Sequence, residues 1–176
     1  MISIIDYGLG NIKAIESAYN SLGIDNHIVY KPDDLDRSSH IILPGVGSFD
    51  NAMNKIVAKG FKEKLDFLVL KKNINILGIC IGLQIMCQSS NEGNQKGFGW
   101  LNTETKMIDI QKKEYKVPHM GWSKIEVIKN CPILNGVKNE EFYFLHSFNV
   151  DDKNDEYKSA TSSQQKVSKK DRAKES

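Results

Sequence analysis

The chain has 176 residues, with 24 basic and 22 acidic side chains and a formal net charge of +2. That length suits one domain with a sizeable core, and so balanced a charge gives no electrostatic reason to expect nucleic acid or a membrane surface as partner. The N-terminal run Met1–Ile5 has no basic residue and is interrupted at Asp6, and no apolar stretch is long enough to span a bilayer, so neither a signal peptide nor a membrane segment is expected.

In chain order, Ile2–Ile5 reads as a buried strand. Asn11 is placed to cap a helix whose Ile12, Ile15, Tyr19 and Leu22 share one face, and Gly23 ends it. A short strand is expected near His27–Tyr30, and a third at Ile41–Leu43, stopped by Pro44 and Gly45. Phe49–Lys72 reads as helical in two pieces broken near Gly60, and Ile74–Ile79 as a fourth strand. Strands alternating with helices predict an α/β fold with a doubly wound, mostly parallel sheet.

The second half changes character. Lys106–Ile110 and Lys124–Ile128 read as short strands, and Phe142–Leu145 as another buried strand. From Asp151 onward half of the residues are charged, and Lys158–Ser176 has no periodicity that would bury a face. The expected organisation is therefore a domain over residues 1–157, incomplete at its C-terminal part, and a polar tail without structure over 158–176.

The most informative segment is Ile74-Asn-Ile-Leu-Gly-Ile-Cys80-Ile-Gly-Leu-Gln84. An apolar run ends in Gly-x-Cys-x-Gly before an amphipathic stretch, the layout of a nucleophile elbow. Gly78 and Gly82 are small because such a turn brings backbone against backbone. A thiol at the start of the following helix is favoured as thiolate, so Cys80 is the expected covalent catalyst. The three cysteines, Cys80, Cys87 and Cys131, have no metal-ligand spacing; free thiols in a cytoplasmic protein are expected, with no metal and no cofactor.

In open parallel sheets, sites form at the carboxyl ends of the strands. Asp6–Asn11, Pro44–Gly47, the Cys80 turn and His146–Phe148 all follow apolar runs and so fall at one sheet edge. Glycines on both sides of Val46 allow that loop to offer a backbone N–H to an oxyanion, and the Ile81 N–H is the natural second donor. Gly8-x-Gly10 is a poor dinucleotide fingerprint, because its third glycine would fall at Lys13. A thiolate acting on an amide needs a proton donor for the leaving amine. Of the four histidines, His27 and His40 lie at the starts of their strands, His119 falls in a loop able to face a partner or substrate, and His146 ends its strand at the right edge. Position alone makes His146 the candidate base.

Six segments together resemble the class I glutamine amidotransferase family, in particular its glutaminase subunits of histidine biosynthesis. They are Asp6-Tyr-Gly-Leu-Gly-Asn11, Leu43-Pro-Gly-Val-Gly-Ser-Phe49, Gly78-Ile-Cys-Ile-Gly-Leu-Gln84, Glu92-Gly93, Val117-Pro-His-Met-Gly-Trp122 and Tyr143-Phe-Leu-His-Ser-Phe148. They stand in family order over roughly residues 1 to 150. The resemblance implies that Cys80 attacks the side-chain amide of glutamine and that a thioester forms. It also implies that ammonia passes to a separate cyclase subunit, a (β/α)₈ barrel, in a heterodimer. Gly47, Gln84 and the His146-Ser147-Phe148 backbone would line the glutamine pocket, Val46 and Ile81 would serve the oxyanion, and His119 and Trp122 would lie towards the subunit interface.

The family carries its histidine and glutamate in a later His-Pro-Glu motif, whereas this chain has no histidine after His146. The resemblance therefore makes His146 a pocket residue, against the positional reading. Two alternatives accompany the glutaminase reading: a subunit that only binds the cyclase, and a paralogue supplying ammonia for amidated surface sugars. Peptidase-like relatives of this elbow place a histidine directly after the nucleophile, where this chain has Ile81.

Overall fold

The computed structural model describes residues 1–109, 117–137, 140–151 and 159–162. It divides into two compact units, Met1–Thr105 and Lys106–Ser176.

The first unit is built on four parallel strands in the order β2-β1-β3-β4: β1 (Ile2–Ile5), β2 (Asn26–Val29), β3 (His40–Leu43) and β4 (Asn75–Gly78). Residues alternate between the two faces of each strand. Ile5, Val29, Ile41 and Leu43 pack with Phe49, Ala52, Met53 and Ile56 of α2 (Phe49–Ala58) and with Phe61, Leu65 and Leu68 of α3 (Phe61–Leu70). Ile2, Ile4, Ile28 and Ile42 turn the other way, against Ile12, Ile15 and Tyr19 of α1 (Ile12–Ser21). Helices thus cover both faces, as the doubly wound expectation requires.

Local signals explain the boundaries. The Asn11 side chain accepts the Ala14 N–H at 3.3 Å and caps α1. Gly60, at φ +72°, takes the left-handed conformation that separates α2 from α3. The helix expected after Cys80 is present as α4 and spans only Ile81–Gln84. The carbonyls of Ile85 and Met86 accept the N–H groups of Phe98 (2.8 Å) and Leu101 (3.1 Å), so the returning chain captures groups that would have continued the helix. In its place runs β5 (Cys87–Ser90), parallel to β6 (Leu101–Met107). The strand expected at Lys106–Ile110 begins earlier, because pairing with β5, and not an apolar run, sets its start; Ile110 lies outside the described residues.

In the second unit β7 (His119–Val127) is the centre of a three-stranded antiparallel sheet, between β8 (Glu141–His146) and β10 (Ala160–Ser162). A short strand, β9 (Phe148–Val150), follows β8. Three expectations change here. His119 opens a strand and is not in a loop. Phe142–Leu145 lies in a strand, but Phe142, Tyr143 and Leu145 are exposed in this chain. The alternation of a strand sends successive side chains to opposite faces, and the apolar run Phe142-Tyr-Phe-Leu145 supplies both. Finally, part of the segment read as a tail is ordered: Ala160–Ser162 pairs with Ile125–Val127. Lys158 and residues 163–176 lie outside the described residues.

Asn11→Ala removes one capping bond from α1 and is expected to lower stability by about 1 kcal/mol. The check is a shift in the midpoint of denaturant unfolding without a change in slope.

Candidate active site

The first unit holds a cysteine in a conformation that side chains rarely adopt. Cys80 sits at φ +56° and ψ −118°, exposed, between β4 and the single turn of α4. Strain of this kind survives only where the surroundings enforce it, and here glycines do so. A Cβ on Gly78 would lie 2.6 Å from the backbone of Leu83, and one on Gly82 would run into the Leu43 carbonyl. A Cβ on Gly45 would fall 2.8 Å from the Gly82 nitrogen and 3.0 Å from Ile81 Cβ. The end of β3 and the turn after β4 therefore cross at backbone contact, and the thiol is pushed outward at the carboxyl edge of the sheet.

The turn consumes its own amides in order. The Gly82 N–H donates to Ile79 O, and those of Leu83 and Gln84 donate to Cys80 O. The N–H groups of Cys80 and Ile81 are not spent on the turn, and that of Ile81 follows the nucleophile. Across the crossing, Val46 is half exposed on the Pro44–Gly47 loop, and Gly47 takes φ +90°.

Beyond Gly47 the loop enters α2, and an acidic residue holds that entry. Ser48 makes no side-chain cap; the Phe49 N–H instead donates to Glu92 Oε2 at 2.8 Å. Asp50 answers by accepting the N–H groups of Asn94 (3.0 Å) and Gln95 (2.9 Å). Gly93 lies so close to Asp50 that a Cβ there would strike its carboxylate. The Glu92-Gly93 pair is therefore a clasp between the segment after β5 and the start of α2, a role that its type and spacing alone did not reveal.

Two buried polar groups close to this edge find no hydrogen-bond partner among the described residues: Gln84 Oε1 and the Tyr7 hydroxyl. Gln84 is 7% exposed. An amide oxygen buried without a partner carries an energetic cost of about 1–3 kcal/mol, which a ligand N–H would relieve. Tyr7 is fully buried, and burial first, then the neighbouring Cys80 charge, push its phenol well above the usual tyrosine range. Sequence reasoning quoted Tyr7 within a motif but gave it no role.

The second unit holds the remaining expected site residues. His146 Nδ1 lies 2.9 Å from the Phe148 carbonyl, which can only accept, so Nδ1 carries the proton. His146 Nε2 then accepts from His119 Nδ1 at 3.2 Å, and His119 Nε2 accepts the Ser123 hydroxyl at 3.3 Å. His119 is buried and stacks on Phe144, with ring centroids 4.6 Å apart. Desolvation, then the His146 ring, hold its pKa below the usual histidine value. Both nitrogens of His146 are thus engaged in this hydrogen-bonded chain. The Ser147 carbonyl accepts the Ile108 N–H at 2.9 Å. Trp122 lies on the opposite face of β7 from His119 and is 63% exposed. Among the described residues, no cluster of three histidine, cysteine or acidic side chains could hold a metal, and no helix is long and apolar enough to cross a membrane.

Residues 3–174 match the family model of the class I glutamine amidotransferases. The chain belongs to the class I glutamine amidotransferase family. Among the amidotransferases it is 39% identical over 154 residues to the imidazole glycerol phosphate synthase subunit HisH of Leptospira borgpetersenii, covering 86% of this chain and 76% of that one. It is 40% identical over 162 residues to subunit HisH 1 of Campylobacter jejuni strain RM1221, covering 91% and 80%. A crystal structure of a glutamine amidotransferase shares the fold, with a TM-score of 0.68 at 16% identity over 85% of this chain and 73% of that one. An amidotransferase from Thermotoga maritima does so at a TM-score of 0.62 and 16% identity, covering 94% and 68%.

Cys80 is exposed, whereas burial pushes the Cys87 thiol up to about 11. A raised thiol pKa leaves the unreactive protonated form dominant below that value. Alkylation followed by peptide mapping is therefore expected to mark Cys80 at pH 8 and to leave native Cys87 unmodified.

Proposed function

We propose that this protein is the glutaminase subunit of an imidazole glycerol phosphate synthase, releasing ammonia from glutamine for histidine biosynthesis in the cytoplasm. The observation that carries the reading is Cys80: an exposed thiol held at positive φ by Gly45, Gly78 and Gly82, in a chain about 40% identical to HisH subunits. In this reading the Cys80 sulfur attacks the side-chain carbonyl of glutamine, and a carbon–sulfur bond forms. The negative charge on the carbonyl oxygen is met by the Ile81 N–H and, across the crossing, by the Val46 N–H. As the tetrahedral adduct collapses, the carbon–nitrogen bond breaks and nitrogen leaves as ammonia, carrying the proton that the Cys80 thiol gave up on attack. Water then cleaves the thioester to glutamate and regenerates the thiol. Gly47 and Gln84 flank the glutamine, and the unpartnered Gln84 Oε1 is an acceptor suited to its N–H groups. The family resemblance assigns the backbone of His146, Ser147 and Phe148 to glutamine binding as well, and within the second unit the histidine chain supports that backbone.

The ammonia acceptor is a cyclase subunit of (β/α)₈-barrel type. One face of the β7–β8 pair supports a protein partner: Met120 opposite Leu145 and Trp122 opposite Tyr143, all exposed. Large aromatic side chains that stand exposed on a strand pair are the usual anchors of protein interfaces. Of the two expected interface residues, Trp122 suits this role. Buried His119 would act only by supporting the strand.

A second reading, a subunit that docks on the cyclase without turnover, is favoured by one observation: both ring nitrogens of His146 are already engaged. Glutamate release by the chain mixed with its cyclase separates the two. The glutaminase reading expects turnover that Cys80→Ala lowers by about a thousandfold or more, with Gln84→Ala raising KM. Binding without turnover would establish the second reading. Trp122→Ala is expected to weaken cyclase binding by about tenfold or more in Kd, measured by calorimetry.

A further inference from the structure

Among the described residues near the Cys80 turn, the Tyr7 hydroxyl is a buried polar group that neither the fold nor the proposed mechanism uses. Its residue lies just past β1, is fully buried, and its ring belongs to the core that α2 and α3 form on the sheet. The hydroxyl finds no partner among the described residues. Phenylalanine would fill the same ring space without a stranded polar group, so the hydroxyl is kept at the expense of stability.

Its location shows what that expense can serve. The position a Gly45 Cβ would occupy is bounded by three atoms: the Tyr7 hydroxyl oxygen at 2.7 Å, the Gly82 nitrogen at 2.8 Å and Ile81 Cβ at 3.0 Å. The phenol tip is therefore seated at the crossing, alongside both backbone strands that carry the two oxyanion donors. Gly45 precedes Val46 on one strand, and Ile81 precedes Gly82 on the other. Two amides form an oxyanion hole only if their separation is held within a few tenths of an ångström. Glycine at 45, lacking a side chain, cannot set that separation itself.

We propose that Tyr7 is a positioning residue whose hydroxyl acts as the spacer at this crossing, fixing the Val46 N–H relative to the Ile81 N–H. Burial and the Cys80 charge keep the phenol protonated, so the spacer remains a neutral hydroxyl beside the nucleophile. The inference rests on the glutaminase reading, since it assigns Val46 and Ile81 to the oxyanion.

The test compares Tyr7→Phe with the unaltered full chain, each mixed with its cyclase. Two thiol reagents and a thermal melt are used. A chloroketone analogue of glutamine reacts through a tetrahedral adduct that needs the oxyanion donors; iodoacetamide alkylates the sulfur directly and does not. The expected result is a fall of about ten- to a hundredfold in the limiting rate of chloroketone labelling. The half-saturating concentration, the iodoacetamide rate and the melting temperature stay as they were, or the melt rises. An unchanged chloroketone rate, an equal loss of both labelling rates, or a marked drop in the melt would each overturn the spacer role. If the unaltered chain reacts with iodoacetamide at Cys80 but not with the chloroketone, the glutaminase reading itself fails, and this inference with it.

Discussion

The backbone crossing of β3 and the Cys80 turn is the constraint on which the site depends. Three glycines meet there, and none can accept a methyl group without the chain moving. The contact holds the end of β3 against the turn that leaves β4. It thereby enforces the positive φ of Cys80 and sets the Val46 loop beside the nucleophile. Removing the crossing would relax the elbow into an ordinary strand-to-helix turn, with the thiol carried elsewhere.

Much of this was legible in the amino-acid order because the residues concerned are of types with narrow uses. Gly78 and Gly82 bracket a cysteine after an apolar run, and only close backbone approach explains both. Asn11 announced its cap, and Gly60 announced the break between α2 and α3. The parallel sheet followed from strands separated by helical stretches, and the structure places Ile4 and Ile5 on opposite faces, as that sheet requires.

What was not legible depends on partners distant in sequence. The helix after Cys80 stops at Gln84 because residues 98 and 101 take the next carbonyls, which no local pattern announces. Glu92 caps α2 from forty-three positions away. His119 was read as a loop residue, yet the pairing of β7 with β8 draws it into a strand. His146 illustrates the limit of positional argument. Its place at a strand end suggested a base, whereas what the strand end cannot announce is that its ring meets His119 and the Phe148 carbonyl. Tyr7 was invisible as a functional residue because a buried aromatic after a strand is the commonest core feature there is; only the stranded hydroxyl distinguishes it.

The two faces of β7 differ sharply: His119 and Ser123 point one way, and Met120 and Trp122 the other. Strand alternation has a period of two, so one residue inserted or deleted within β7 would exchange these faces beyond that point. A hydrogen-bonded polar row would meet solvent, and an apolar row would be turned inward. Length variation in this stretch of the gene is therefore expected to occur in its flanking connections, and within the strand only in pairs of codons.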